Sequence, residues 1–188
     1  MDTYEEILVL LKSDDDISRS HVVELMKSED IKVLGALYAL TDRAYYRIKP
    51  DLGMNTTCDF VLHYYTRCIV ENPQAGDYLY GRYQAGLVMS EWIKHLWQKR
   101  PQTEKVLEKV RDTLAKVYLR GDQEIQWCII YIVLEHVLED KDMIVLFKSW
   151  KKKPHLREAY DAALESEKKR LQEIPDSELQ KFLGKGNV

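Results

Sequence analysis

The chain has 188 residues, 45% hydrophobic and 31% charged, with eight Gly and five Pro, a composition that describes one ordinary globular domain with enough apolar mass for a core. The net charge is −3 and unevenly spread: residues 1–30 hold nine acids against three bases, residues 121–142 six against one, and residues 143–157 five bases and no acid. That distribution excludes a single basic face tracking a phosphate backbone, and the acidic N-terminal third favours a basic partner over nucleic acid.

The opening residues Met1-Asp2-Thr3-Tyr4-Glu5-Glu6 lack the basic and apolar stretches of an export signal. Cys58, Cys68 and Cys128 form no CxxC pair and lie in helical patterns. Reduced core thiols in a cytoplasmic protein are expected.

Tyr4 to Lys12 reads as a short helix, broken by Ser13-Asp14-Asp15-Asp16. Ser18 or Ser20 caps a second, and Ser28 begins a third that runs to Ile48 before Pro50. A loop over 49–55 precedes a helix capped by Thr56 or Thr57 and ended by Glu71-Asn72-Pro73. The next spans Tyr78 to about Lys99, with Leu79, Tyr83, Leu87, Trp92, Ile93, Leu96 and Trp97 as its apolar positions. Pro101 stops it and Thr103 caps another, carrying Val106, Leu107, Val110, Leu114, Val117 and Tyr118.

The central element is Leu119 to Asp140, where Trp127 to Leu134 is an unbroken apolar run of eight residues. A helix apolar all round is covered on most sides by its neighbours. The run is too short to cross a bilayer, which takes about 20 residues. It also has strand propensity, but Gly121-Asp122 supplies a break and an N-cap and Glu124 puts a negative charge in the first turn. A short helix over Met143 to Trp150, a basic linker Lys151-Lys152-Lys153-Pro154 and a charged helix from Leu156 to Ile174 follow; Asp176 starts a last turn and residues 184–188 fray. No segment alternates strictly and no Asn-Gly or Asp-Gly hairpin turn occurs. The expectation is an all-α fold of antiparallel helical hairpins, one domain over residues 1–188, packed as a globule or a short solenoid-like array. Trp92, Trp97, Trp127, Ile130, Leu134 and Glu135 are its expected core.

Chemistry is sparse. The pairs Asp59/His63 and Glu91/His95 share helix faces at four-residue spacing, but no HExxH motif backs a metal, and surface pairing is the plainer account. Glu135-His136 abuts the apolar run, where a buried carboxylate either answers a donor on a neighbouring helix or serves as a general acid or base. An enzyme with a site there is therefore one alternative. Trp150 beside three lysines is a combination that can hold single-stranded nucleic acid, set against a solvated linker. No nucleophile motif or phosphate loop is present, and neither cofactor, metal nor membrane is expected. The tyrosines and tryptophans cluster at Tyr45-Tyr46, Tyr64-Tyr65, Tyr78/Tyr80/Tyr83 and Trp92/Trp97, and adjacent rings on a helix point about 100° apart, so some reach the surface as interface anchors.

The segment Gly121-Asp122-Gln123-Glu124-Ile125-Gln126 running into Leu134-Glu135-His136 resembles a pattern of small bacterial all-helical proteins that include immunity proteins of polymorphic-toxin and contact-dependent inhibition systems. Ser28-Glu29-Asp30, Tyr64 with Cys68, Asn72-Pro73 and Tyr83…Ala85…Trp92…Leu96-Trp97 extend the resemblance over residues 28–139. It implies a toxin inhibitor that acts by binding, with no catalytic residue to carry over. Many such toxins are nucleases with basic clefts, onto which an acidic surface would steer. Asp14, Asp15, Asp16, Glu29 and Asp30 are then the expected charged face, with Tyr45, Tyr78 and Tyr80 as anchors. A helical scaffold for another protein is the other alternative.

Overall fold

The computed structural model describes residues 2–173, so the last turn expected from Asp176 and the frayed end at 184–188 lie outside the described residues. Helix α1 (Thr3–Lys12) opens on a reciprocal cap in which the Asp2 carboxylate accepts from the Glu5 backbone N–H at 2.7 Å and the Glu5 carboxylate accepts from that of Asp2. After the acidic turn come strand β1 (Ile17–Ser18), α2 (Arg19–Leu25) and α3 (Ile31–Arg43). The cap of α3 is Asp30, whose side chain accepts from Lys32 N–H at 2.8 Å, rather than Ser28.

Helix α3 ends five residues short of the expected Ile48. A 3₁₀ turn (Tyr45–Arg47) leads into β2 (Ile48–Lys49), which pairs in parallel with β1, Ile17 opposite Ile48. The buried Arg47 explains the break: its guanidinium donates to the carbonyls of Asp15 at 2.9 Å and Leu10 at 3.0 Å, serving one carbonyl in the last turn of α1 and one in the acidic turn at once. Two-residue strands are too short to show alternation, so the sequence carried no sign of them.

Helices α4 (Met54–Glu71), α5 (Arg82–Gln98) and α6 (Glu104–Arg120) follow. The start of α4 lies ahead of the expected Thr56 and Thr57, whereas Thr103 does precede α6, although its buried hydroxyl donates back to Leu96 carbonyl at 2.6 Å and closes α5. The central helix is continuous but mixed. It comprises α7 (Gln123–Trp127), a π segment (Cys128–Leu134) and α8 (Glu135–Leu138). The Asp122 carboxylate caps it from Ile125 N–H at 2.9 Å, and the π character shows in Glu135 N–H bonding back to Ile130 carbonyl. Helix α9 (Ile144–Phe147), a 3₁₀ turn (Lys148–Lys152) and α10 (Pro154–Glu173) complete the described chain.

The fold is mostly helical, in packed pairs. α1 packs on α3, α3 on α4, and α4 on α5 and α6, while the π segment rests on α5 and is covered behind by α10. Gly86 sets how closely α5 meets the π segment, since a Cβ there would stand 2.9 Å from Cys128 Sγ and 3.0 Å from Ile132 Cγ2. No helix among the described residues is long and apolar enough to cross a membrane.

Candidate binding surface

The apolar run of the central helix is packed by α5 and α10, while α6 meets the α7 part that precedes it. Ile129, Val133 and Leu134 are wholly buried, as expected of Leu134, while Ile130 is half-buried. Trp127, expected in the core, is 47% exposed. The correction has a simple cause: an eight-residue run winds round more than two turns of helix, and the neighbours leave one strip uncovered.

On that strip Trp127 meets Tyr83 of α5 edge-to-face, ring centroids 5.4 Å apart, and Tyr131 at 5.3 Å. Tyr83 is itself 47% exposed, and Leu87, one turn further along α5, 45%. Tyr83 and Trp127 form one wall of an open groove of about 460 Å³ lined also by Gln123, Glu124 and Ile132. One rim is fixed from below. Arg82 is buried, donates to Ile69 carbonyl at 2.8 Å, and pairs with the exposed Glu124 carboxylate. The Cys128 thiol donates to Arg82 carbonyl at 3.6 Å, and burial pushes its pKa up to about 12, which leaves it a packing group.

The residues expected to bind are not one face. Asp14, Asp15 and Asp16 are exposed at the turn that Arg47 ties to the C-terminal end of α3, whereas Glu29 and Asp30 are exposed at its N-terminal end. Thirteen residues of helix separate the two groups, about 20 Å at 1.5 Å per residue. Glu29 is moreover paired with Arg67 at 3.4 Å. Tyr45 lies at the Asp14–Asp16 end, half-buried, its hydroxyl donating to Asp51. Tyr78 and Tyr80 face a small cavity beside α3, with the Arg43 guanidinium over the Tyr78 ring at 5.7 Å and Tyr80 packed among Tyr38, Tyr64 and Tyr65. Both serve the fold's own packing. Burial raises the Tyr64 and Tyr65 hydroxyls well above the usual tyrosine range.

Two more core expectations are met in part. Trp92 is half-buried, edge-on to Tyr65 at 6.0 Å, and Trp97 is half-buried beneath the Arg100 guanidinium, 3.1 Å from its centroid. Glu135 is buried and accepts from the Ser166 hydroxyl at 2.8 Å, a latch between α8 and α10. Trp150 is 1% exposed, packed on Phe147 and Tyr118, so it offers no ring for a base to stack on. Asp59 and Glu91 pair with Lys109 at 2.6 Å and Lys94 at 2.8 Å rather than acting with their neighbouring histidines, and no group of three metal-ligating side chains gathers among the described residues.

Tyr83 and Leu87 are apolar positions of α5 at helical spacing, and in the structure both are half-exposed. The signal for the groove was present as two pairs at four-residue spacing, Tyr83/Leu87 and Trp127/Tyr131, but which helices would pack together was not. No protein-family model, no curated protein and no solved structure matches the chain.

Proposed function

We propose that this chain is a non-catalytic binding protein of the immunity type, cytoplasmic, which neutralises a toxin domain by holding it against the aromatic groove. The observation that carries the proposal is the exposed pair Tyr83 and Trp127, the latter packed in turn on the half-buried Tyr131, beside Leu87. Trp and Tyr dominate the energetic centres of protein interfaces. Half-exposed rings leave about 100 Å² each to be covered, roughly 2–3 kcal/mol of gross burial apiece. Because the rings already brace one another, ordering them on binding costs little. Nine acids in residues 1–30 supply a field that draws a basic partner toward the molecule, although the groove, not the acids, supplies the anchors.

The test is co-expression with the toxin domain encoded beside the gene, and titration of the purified pair at about 50 and 200 mM salt. Wild type should protect the cells and bind tightly, more weakly at high salt, and Trp127→Ala should weaken binding by about 30-fold or more, about 2 kcal/mol. Protection and affinity unchanged by Trp127→Ala and Tyr83→Ala would reject the groove. A panel of toxin domains of which none binds would reject the immunity reading itself.

A further inference from the structure

A different part of the surface carries the opposite charge to the N-terminal acids. Residues 143–157 hold five bases and no acid, and Lys148, Lys151, Lys152 and Lys153 are all exposed. The start of α10 faces the C-terminal half of α6 across a groove of about 430 Å³. Its floor is apolar, built from Ala115, Leu119 and Leu156, with Leu119 left 52% exposed. Its rim is basic, with Lys116 on one bank and Lys153 on the other. Asp112 also stands there, but its carboxylate accepts from Arg111 Nε at 2.9 Å and that guanidinium holds its pKa below the usual range, with Lys153 and Lys116 adding to the effect. On the other side of Pro154 a second concavity of about 370 Å³ continues the positive surface with Lys151, Lys152 and Arg157, the last paired to Asp161 at 3.4 Å beside Glu158.

We infer that this groove is a second docking surface, and that it takes an acidic segment of a partner protein carrying an apolar anchor side chain. The anchor covers Leu119, and the flanking carboxylates meet Lys116 and Lys153, then Lys151 and Lys152. Charge complementarity selects an anionic partner, and the floor selects among anionic partners. A phosphodiester backbone has no aliphatic side chain with which to cover Leu119, and with Trp150 buried the ring that lines the groove is that of His155, with no Trp or Tyr beside it to build a stacking platform. A bilayer needs apolar side chains that protrude, whereas Leu119 lines a concavity. An extended or helical segment with one large apolar side chain among acids satisfies both the floor and the rim. This surface is built from α6 and α10 and shares no residue with the Tyr83–Trp127 groove, so it stands whether or not the toxin reading does.

The experiment selects roughly twelve-residue random peptides displayed against the full chain and measures the enriched peptides by fluorescence anisotropy. The expected winners carry several Asp or Glu around a Leu, Ile or Phe. Their affinity should fall at least about tenfold in Leu119→Asp and, separately, in Lys116→Glu/Lys153→Glu, and should be unchanged in Trp127→Ala. Circular dichroism checks that each variant is folded. The inference is overturned if no peptide enriches, if the winners lack acids, or if the two groove variants bind them like wild type. It is equally overturned if a single-stranded uridine RNA or phosphatidylserine vesicles bind the lysines and Leu119→Asp binds them as wild type does.

Discussion

Replacing Gly35 by Ala sets two effects of known size against each other. Gly35 lies inside α3, buried, with no positive φ, so the substitution should ordinarily stabilise the helix by about 1 kcal/mol. The 72–81 connection, however, crosses α3 at this residue. A Cβ on Gly35 would meet the Tyr78 carbonyl oxygen well inside contact distance and Leu79 Cδ2 at 2.9 Å. The carbonyl has no free retreat, because the buried Tyr64 hydroxyl donates to it at 2.9 Å. Overpacking typically costs about 1–3 kcal/mol, and an obstructing backbone atom held by a hydrogen bond belongs at the upper end. The net expectation is a loss of about 2 kcal/mol, or about 4–8 °C in Tm for a chain of this size.

Thermal and urea unfolding of wild type, Gly35→Ala, Tyr64→Phe and the double variant would measure it. Tyr64→Phe alone should cost about 1–3 kcal/mol, since it strips a buried carbonyl of its donor. With the tether gone, Gly35→Ala should cost at least about 0.5 kcal/mol less than it does alone. A single variant that raises Tm, or a cycle that is strictly additive, would refute the account of the tethered carbonyl.

Arg82→Met should cost about 1–3 kcal/mol in urea unfolding, because the guanidinium serves the carbonyl of Ile69 near the end of α4, and Glu124→Gln should cost less than about 1; equal effects would show that the ion pair rather than the carbonyl contact matters. Stability should fall at alkaline pH. Cys68 and Cys128 keep their protons in the fold, with pKa values pushed up by burial to about 11 and about 12, but lose them in the unfolded chain near pH 8.5. The unfolded state then binds fewer protons, so the full stability present below about pH 8.5 is lost as pH rises through 9 to 11, by up to about 1.4 kcal/mol per pH unit for each thiol. A Tm flat between about pH 8.5 and 10.5, or as steep in Cys128→Ala as in wild type, would reject this. The same burial predicts that none of Cys58, Cys68 and Cys128 reacts with a thiol reagent in native protein near pH 8 and that all do in urea; a fast-reacting native thiol would contradict the packing.

How much of this was legible beforehand follows the range of the interactions. The Asp122 cap, the break at Ser13 and the closure of α5 before Pro101 depend on neighbours a few residues away, and each can be read from local pattern. The early end of α3 depends on Arg47 reaching Leu10, 37 positions back, and nothing near residue 44 announces it. The same holds for the groove. Tyr83 and Trp127 are 44 positions apart in the sequence, and their meeting is set by the packing of α5 on the π segment, to which Gly86 contributes without a side chain to display. Apolar pattern reports that a residue favours burial; it does not report whether a neighbour arrives to cover it. The acids show the converse limit, since Asp16 and Glu29 are close in sequence but stand at opposite ends of a helix.

The π segment acts as a phase shifter within its helix. Hydrogen bonds closing five residues back instead of four fit an extra residue into the turn, so everything C-terminal to Leu134 is rotated relative to an α-helix begun at Asp122. Glu135 meets Ser166 in that rotated frame, and the faces of α8 that receive α10 belong to it as well. The upstream half aims aromatic rings at solvent while the downstream half buries a carboxylate against a hydroxyl. Loss of a single residue from Cys128–Leu134 would change the relative orientation of these two halves without altering the chemistry of either, so length in this stretch constrains the protein as tightly as residue identity does.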